Sequence, residues 1–264
     1  MKFIVQYNMI AERQLQKIKS AIGEYPHEYV GVIPFSHEIT SDAPLEGVDY
    51  LPYGSTALTK IADEKKWKGN YFDLSKFNYR QALKHRDDML NDNIMTVSEA
   101  IEFMKKHPSG LSWFMRPSED NKKFDGMVME TEEALGWLLT AVAIGSSQSD
   151  KIDADMEILV SAPRKIQAEW RWFIIGGKVV SGSMYQFKGQ LQQKEEKDEK
   201  VIAEAQLFAD KWLPNPTCVM DLALVHGKLK VIEFNCLNSS GFYAHDVDAI
   251  FKALWENANQ STHA

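Results

Sequence analysis

Apolar positions along the chain follow two periods, and the alternation between them sets out the elements. "MKFIVQY" at the start is a short apolar run of strand type, while "MIAERQLQKIKSAIG" repeats its apolar residues every three to four positions, the mark of a helix, with Gly23 as its stop. "EYVGVIPFS" is a second strand, and "GVDYLPYGSTAL" a third that runs into a Gly-Ser turn. Strand, helix, strand in this order predicts a small α/β unit with a parallel sheet. Residues 61–108 are polar and mostly helical or irregular. Within them "TVSEAIEFMKK" opens with Thr96 and Glu99 at capping-box spacing, and Pro108 and Gly110 close that helix.

Further on, "LSWFMRP" and "EILVSAP" read as strands, and "EWRWFIIGGKVVSGSMYQ" as a hairpin turning at Gly176-Gly177. The charge run "LQQKEEKDEK" reads as a solvated loop and helix face leading into the amphipathic helix "VIAEAQLFADKWL". "CVMDLALVHGKLKVIEFN" is a second hairpin with its turn at His226-Gly227, and "DVDAIFKALWENA" a last amphipathic helix. Met9, Met89, Met95 and Met104 fall in helix-like settings and read as core filling. His226 and His263 read as solvent-facing.

With 264 residues, 44% of them hydrophobic and 25% charged, the chain has the composition of a soluble globular protein able to bury a sizeable core. The net charge of −7 comes without a dense basic block, so neither nucleic acid nor a membrane surface is an expected partner. "MKFIVQYNMI" lacks the long apolar core of a signal peptide, and Cys218 and Cys236 lack metal-ligand spacing. Two reduced, buried thiols and a cytoplasmic location follow as expectations.

The chemistry concentrates at the last hairpin. In a strand, residues two apart share a face, so Glu233 and Asn235 present a carboxylate and a carboxamide together. Counting out from the turn places Asp221 about opposite Glu233, within cross-strand reach. Three oxygen-bearing side chains on one sheet face suit a hard cation such as Mg²⁺, and their apolar neighbours Val231, Ile232 and Phe234 argue against casual surface acids. Phosphate contacts would then come from cations, since neither a Walker A nor a Rossmann glycine pattern occurs. Arg116 ends "LSWFMRP", and Lys122 lies in the polar loop "SEDNKKFDG". Arg171 sits between Trp170 and Trp172, whose side chains point the other way. It suits a bidentate pair with a carboxylate or phosphate, with a bond to Glu169 on its own face as the alternative.

The ordered series "FMRPSEDNKKFDG", "ILVSAPRKIQAEWRWFIIGGKVVSGSMYQ" and "VMDLALVHGKLKVIEFNCLNSSGFY" resembles the ATP-grasp superfamily. Within it the series is most similar to a phage and bacterial clade carrying Arg-Pro where other members carry Lys-Pro. "VIPFSHEI" and "LPYGSTAL" resemble that clade's preceding domain, so the likeness covers nearly the whole chain. It implies an α/β (α+β) fold. A pre-ATP-grasp domain over residues 1–85 would precede an ATP-grasp domain over 86–264. A nucleotide-gripping part near 110–160 and a metal-binding part near 161–264 would make up the latter.

The resemblance also implies site roles. Asp221, Glu233 and Asn235 match the Mg²⁺ ligands, expected to hold two ions against ATP. Arg116 and Lys122 match phosphate contacts. Ile158, Leu159, Val160 and Ser161 match the hinge whose backbone pairs with adenine, and Glu169 and Arg171 match an acidic-x-Arg pattern directed at the transferred group. Arg171 and Lys122 would be the catalytic cations. The usual glycine-rich loop is replaced by "SEDNKKFDG", which departs from the pattern. Asn238, Ser239, Ser240 and Gly241, with Tyr185 and Tyr243, are the substrate-side candidates. Similar proteins join a carboxylate to an amine or thiol through an acylphosphate, with ADP released, and positioning with electrostatics suffices for such chemistry. A nucleotide-binding module without ligation and an ATP-dependent kinase are the other readings. The acceptor stays open among peptide, protein terminus, amino acid and metabolite, with specificity expected in the N-terminal domain and in "KFNYRQALKHRDD". Host cytoplasm is the expected location if the chain is of phage origin, and the sequence shows nothing of its oligomeric state.

Overall fold

The computed structural model describes residues 1–264 except 34, 35, 37, 42, 43, 74, 120–122, 145–151 and 261–264. The chain divides into two compact units, the first made of residues 1–73, 168–222 and 234–264 and the second of 74–167 and 223–233.

The first unit opens with β1 (Lys2–Gln6), α1 (Glu12–Ile22), β2 (His27–Val32), β3 (Ile39–Thr40), β4 (Tyr50–Tyr53) and α2 (Thr56–Glu64). β1 lies between β2 and β4, parallel to both, and the short β3 closes the edge antiparallel to β2. The expected parallel sheet is therefore present. On α1 the apolar stripe Leu15, Ile18 and Ile22 is buried as its spacing requires. Gly23 ends that helix with φ −55°, so it stops the helix without adopting the left-handed conformation. Met9 is 62% exposed just before α1, which corrects its reading as core, whereas Met89 and Met104 are buried.

The second unit contains α3 (Tyr79–His85), β5 (Ile94–Thr96), α4 (Val97–Lys106), β6 (Ser112–Pro117), β7 (Met127–Glu130), α5 (Thr131–Ile144) and β8 (Glu157–Ser161). Its sheet runs β5-β8-β6-β7, antiparallel between the paired neighbours. The capping box that opens α4 forms as the spacing predicts: the Glu99 amide donates to Thr96 Oγ1 at 3.2 Å and Glu99 Oε2 accepts from the Thr96 amide at 2.7 Å. Val97, Ala100, Ile101 and Met104 of α4 and Ala134 and Leu138 of α5 cover one sheet face over Met115, Ile158 and Val160.

The chain then returns to the first unit with β9 (Ala168–Ile175), β10 (Lys178–Phe187), β11 (Gln190–Glu195), α6 (Glu199–Lys211), β12 (Cys218–Val225) and β13 (Lys228–Asn235). A short 3₁₀ turn (Leu237–Ser239) and α7 (Val247–Gln260) follow. These strands form a five-stranded sheet in the order β11-β10-β9-β12-β13, and residues 223–233 of its last hairpin count with the second unit. Gly176-Gly177 and His226-Gly227 all have positive φ (58°, 80°, 50° and 73°), the backbone that two-residue hairpin loops demand. The charge run is corrected. Residues 190–195 are an edge strand paired antiparallel to β10, nearly all exposed, and polar apart from Leu191, so no period marked it.

Gly182 has a different reason to be glycine. It faces Trp172 across β9 and β10, and a Cβ there would lie 2.1 Å from Trp172 Cζ3. One core joins the N-terminal sheet to the C-terminal helix inside this unit: Phe3 meets Phe251 edge-on at 5.3 Å between ring centroids, and Phe173 and Phe242 stack at 5.1 Å. Cys218 and Cys236 are buried free thiols. Among the described residues no helix is long and apolar enough to cross a membrane.

Candidate functional site

In the first unit the cluster forms around Asp221, which β12 holds 1% exposed. Arg171 reaches it from β9 as a fork, with Nε donating to Oδ1 at 2.9 Å and Nη2 to Oδ2 at 2.8 Å. The expected bidentate pair thus forms with Asp221. Asn235 on β13 donates Nδ2 to the same Oδ2 at 3.4 Å. Strand alternation explains the aim: Trp170 and Trp172 point away, the first donating its indole N–H to Glu196 Oε2 at 2.9 Å and the second 1% exposed in the core.

Tyr185 enters the cluster through a bulge. Against β9 the pairing of β10 skips from Met184 to Gln186 while β9 advances by one residue, from Trp170 to Glu169, leaving Tyr185 as the extra residue. Bulges of this kind re-aim a side chain. Here the hydroxyl donates to Glu169 Oε2 at 2.6 Å and the ring stacks on Tyr243 at 4.8 Å between centroids. The Arg171 guanidinium lies 5.1 Å from the Tyr243 centroid. Burial, followed by the charges of Asp221 and Glu169, pushes the Tyr185 hydroxyl well above its ordinary pKa, so it stays a donor.

The loop after β13 is pinned across the same strands. The Ala244 amide donates to Ser183 Oγ at 3.2 Å and the Asp246 amide to Ser181 Oγ at 3.1 Å. His245 is 6% exposed, and its Nε2 donates to the Arg171 carbonyl at 3.1 Å. Burial lowers its pKa to about 4, helped by the charges of Arg171 and Lys17, so the ring is neutral. His245 had no signal in the sequence, because the strand it serves lies far from it along the chain.

Two of the substrate-side candidates turn out to build the loop. Asn238 is 1% exposed; it donates to the carbonyls of Pro52 (2.7 Å) and Gly69 (2.9 Å) and accepts from the Tyr71 amide (2.8 Å). Ser240 donates to the Cys236 carbonyl at 2.8 Å. Through these bonds the polar atoms of Asn238 and Ser240 serve the fold. Ser239, Gly241 and Tyr243 are partly exposed.

In the second unit, Arg116 on β6 pairs with Glu233 of the hairpin (Nη1 to Oε2, 2.5 Å) and lies over the Tyr79 ring, 5.1 Å from its centroid. The Tyr79 hydroxyl donates to the Ile232 carbonyl. Tyr79 is a neighbour of Arg116 that sequence reasoning missed inside "KFNYRQALKHRDD". In the same stretch Arg86 and Asp88 form a buried fork of 2.7 and 3.0 Å. Ile158 and Leu159 of β8 pair with β5 and β6 on either side, the Val160 amide donates to the Asn93 carbonyl at 3.0 Å, and Ser161 Oγ donates to Asn91 Oδ1 at 2.9 Å. Lys122 lies outside the described residues.

Among the described residues no group of three or more His, Cys, Asp or Glu side chains forms a metal-binding cluster. In the first unit the oxygen donors are the Asp221 carboxylate and the Asn235 amide oxygen, which accepts no hydrogen bond among the described residues, and in the second unit the Glu233 carboxylate is one. Both carboxylates are compensated by arginine, the state in which buried acids are stable without a cation. Oxygen donors of these types are the ones Mg²⁺ takes.

No curated protein matches the chain in sequence. The fold is shared with solved structures of low identity. The D-cycloserine synthetase DcsG superposes with a TM-score of 0.63 at 10% identity, covering 98% of this chain and 100% of that one. D-alanine--D-alanine ligase from Bacillus anthracis, complexed with ATP, gives 0.57 at 10% identity over 100% and 99%. The ATP-grasp ligase PsnB, complexed with a minimal precursor, Mg and ADP, gives 0.54 at 10% identity over 97% and 98%. The model of the family described as "ATP-grasp domain, R2K clade family 3" matches residues 31–254, most of the chain, and the chain therefore belongs to that ATP-grasp family.

Proposed function

We propose that the protein is an ATP-dependent ligase that joins a carboxylate to an amine, or to a thiol, by way of an acylphosphate. The observation that carries this reading is the buried Arg171–Asp221 fork beneath Tyr243, with Glu169 and Tyr185 beside it. Arg171 would neutralise the oxygens of the phosphoryl group as a substrate carboxylate attacks the γ-phosphorus and ADP departs. The amine would then attack the acyl carbon, releasing phosphate and a proton.

Arg116 and Lys122 are assigned to the ATP phosphates, and Ile158–Ser161 to adenine. Glu169 and Tyr185 orient the arginine side of the site, and Ser239, Gly241 and Tyr243 the substrate side. Asp221, Glu233 and Asn235 would hold Mg²⁺, probed for two ions, and the metal when bound supplies charge neutralisation of the phosphates. PsnB has been solved complexed with a precursor peptide, so a peptide acceptor belongs among the candidates tested.

Isothermal titration of ATP with and without Mg²⁺, on the wild type and on the Glu233→Gln, Asn235→Ala double variant, tests the reading. Metal-dependent binding that the variant loses is expected, followed by ADP release only when both a carboxylate and an amine are supplied. Nucleotide binding without ADP release from any acceptor pool would make the chain a binding module, and ADP release with transfer of phosphate to a hydroxyl would make it a kinase.

A further inference from the structure

A cavity of about 460 Å³ opens in the first unit between the start of α1, the edge strand β11 and the loop after β13. Arg13 and Lys17, one helical turn apart, line it together with Gln14, Gln193 and Tyr243. No acidic side chain does, and among the described residues neither Arg13 nor Lys17 has a carboxylate partner. The acid nearest in sequence, Glu12, is engaged along the helix with Gln16 at 2.6 Å. Like charges four residues apart on a helix repel. A bound anion would remove that cost.

The surroundings favour an anion further. Ala11, before the first turn of α1, lines the cavity and offers no side-chain cap, so the positive end of the helix is left without an acceptor from that residue. Gln14 is held in place by donating Nε2 to the Phe242 carbonyl at 3.1 Å. Tyr243 is the wall this cavity shares with the cluster already described, since it also meets the Arg171 guanidinium and the Tyr185 ring.

We infer that the cavity seats a small dicarboxylate substrate, with one carboxylate held by Arg13 and Lys17 and the other, the one to be activated, directed past Tyr243 toward Arg171. The inference rests on the ligase reading for the second carboxylate, while the anchoring of the first stands on the cavity alone. A volume of about 460 Å³ suits a molecule of the size of an acylated acidic amino acid.

Calorimetric titration of the full chain with N-acetyl-L-glutamate, with its neutral diamide N-acetyl-L-glutamine amide, and with inorganic phosphate tests it. N-acetyl-L-glutamate is expected to bind at least tenfold more tightly than the diamide and more tightly than phosphate. The Arg13→Gln, Lys17→Gln double variant, with an unchanged unfolding midpoint, should lose at least tenfold of that affinity. Lys19→Gln, a cation on the same helix outside the cavity, should lose none. Equal binding of acid and diamide, binding of none of the probes, preference for phosphate, or an unaffected double variant would each overturn the inference. Titration of Mg-ATP into the wild type is run in parallel. Failure of ATP to bind sinks the ligase reading, whereas ATP binding without N-acetyl-L-glutamate binding sinks the cavity assignment alone.

Discussion

Replacing Asp221 by Asn tests the central pair with little change of shape. The side chains are buried, Arg171 13% exposed and Asp221 2%, so solvent screens the interaction weakly. In the wild type the guanidinium makes two charge-assisted bonds of 2.9 and 2.8 Å to the carboxylate. Asn keeps one acceptor and loses the charge, leaving a buried arginine without its compensating carboxylate. Breaking such a pair costs about 3–5 kcal/mol, and the surviving acceptor places this case near about 3. With a urea m-value of about 2–3 kcal/mol per M for a chain of this size, the unfolding midpoint should fall by about 1–1.5 M. Tryptophan fluorescence reads the transition, since Trp170 and Trp172 flank Arg171 in β9. The double variant Asp221→Asn, Arg171→Met should recover a large part of the loss, because it removes the stranded charge as well. A midpoint lowered by less than about 0.3 M in Asp221→Asn would refute the reasoning, since the fork would then contribute no more than an exposed ion pair does.

Gly182→Ala should destabilise the protein by about 1–3 kcal/mol in the same urea assay, because the added methyl overlaps the buried Trp172 ring, and a combined Trp172→Leu change should relieve it. His245 gives a pH prediction. Its pKa is about 4 when folded against an ordinary value of 6.5, so the unfolded chain binds the proton first. The corresponding stability is complete above pH 6.5 and is lost as the pH falls from 6.5 to about 4, by at most about 3 kcal/mol at 1.36 kcal/mol per pH unit. His245→Gln should flatten that part of the stability–pH curve, and an unchanged slope would show that other groups produce it.

The elements legible in the sequence were those whose turns and faces are written locally. The two hairpins at Gly176-Gly177 and His226-Gly227 need left-handed backbone, and α4 carries its own cap. β11 had no legible face because neither side of it is buried. α5 was hidden for the opposite reason, being apolar on most sides and short of turn signals at its ends. At the site, types and strand faces could be read but partners could not. Arg171 has an acid two residues away on its own face, yet its fork closes on Asp221, fifty positions along. The bulge that turns Tyr185 toward Glu169 is a property of strand pairing, and no residue type announces it. Asn238 illustrates the reverse: a polar residue in a site-like string whose bonds run to Pro52, Gly69 and Tyr71, beyond the reach of any local pattern.

The edge-on contact of Phe3 with Phe251 bears on how the protein is made. Almost the whole chain must leave the ribosome before that contact can close, and at 5–20 residues per second this takes roughly 10–50 s. β1 emerges early with apolar residues that await α7 as part of their cover, whereas most of the second unit, residues 74–167, is contiguous and can form during synthesis. The long loop closures also make the first unit the slower of the two to assemble. A truncation that removes α7 would therefore leave the N-terminal strands, made tens of seconds earlier, as the exposed surface on which aggregation begins.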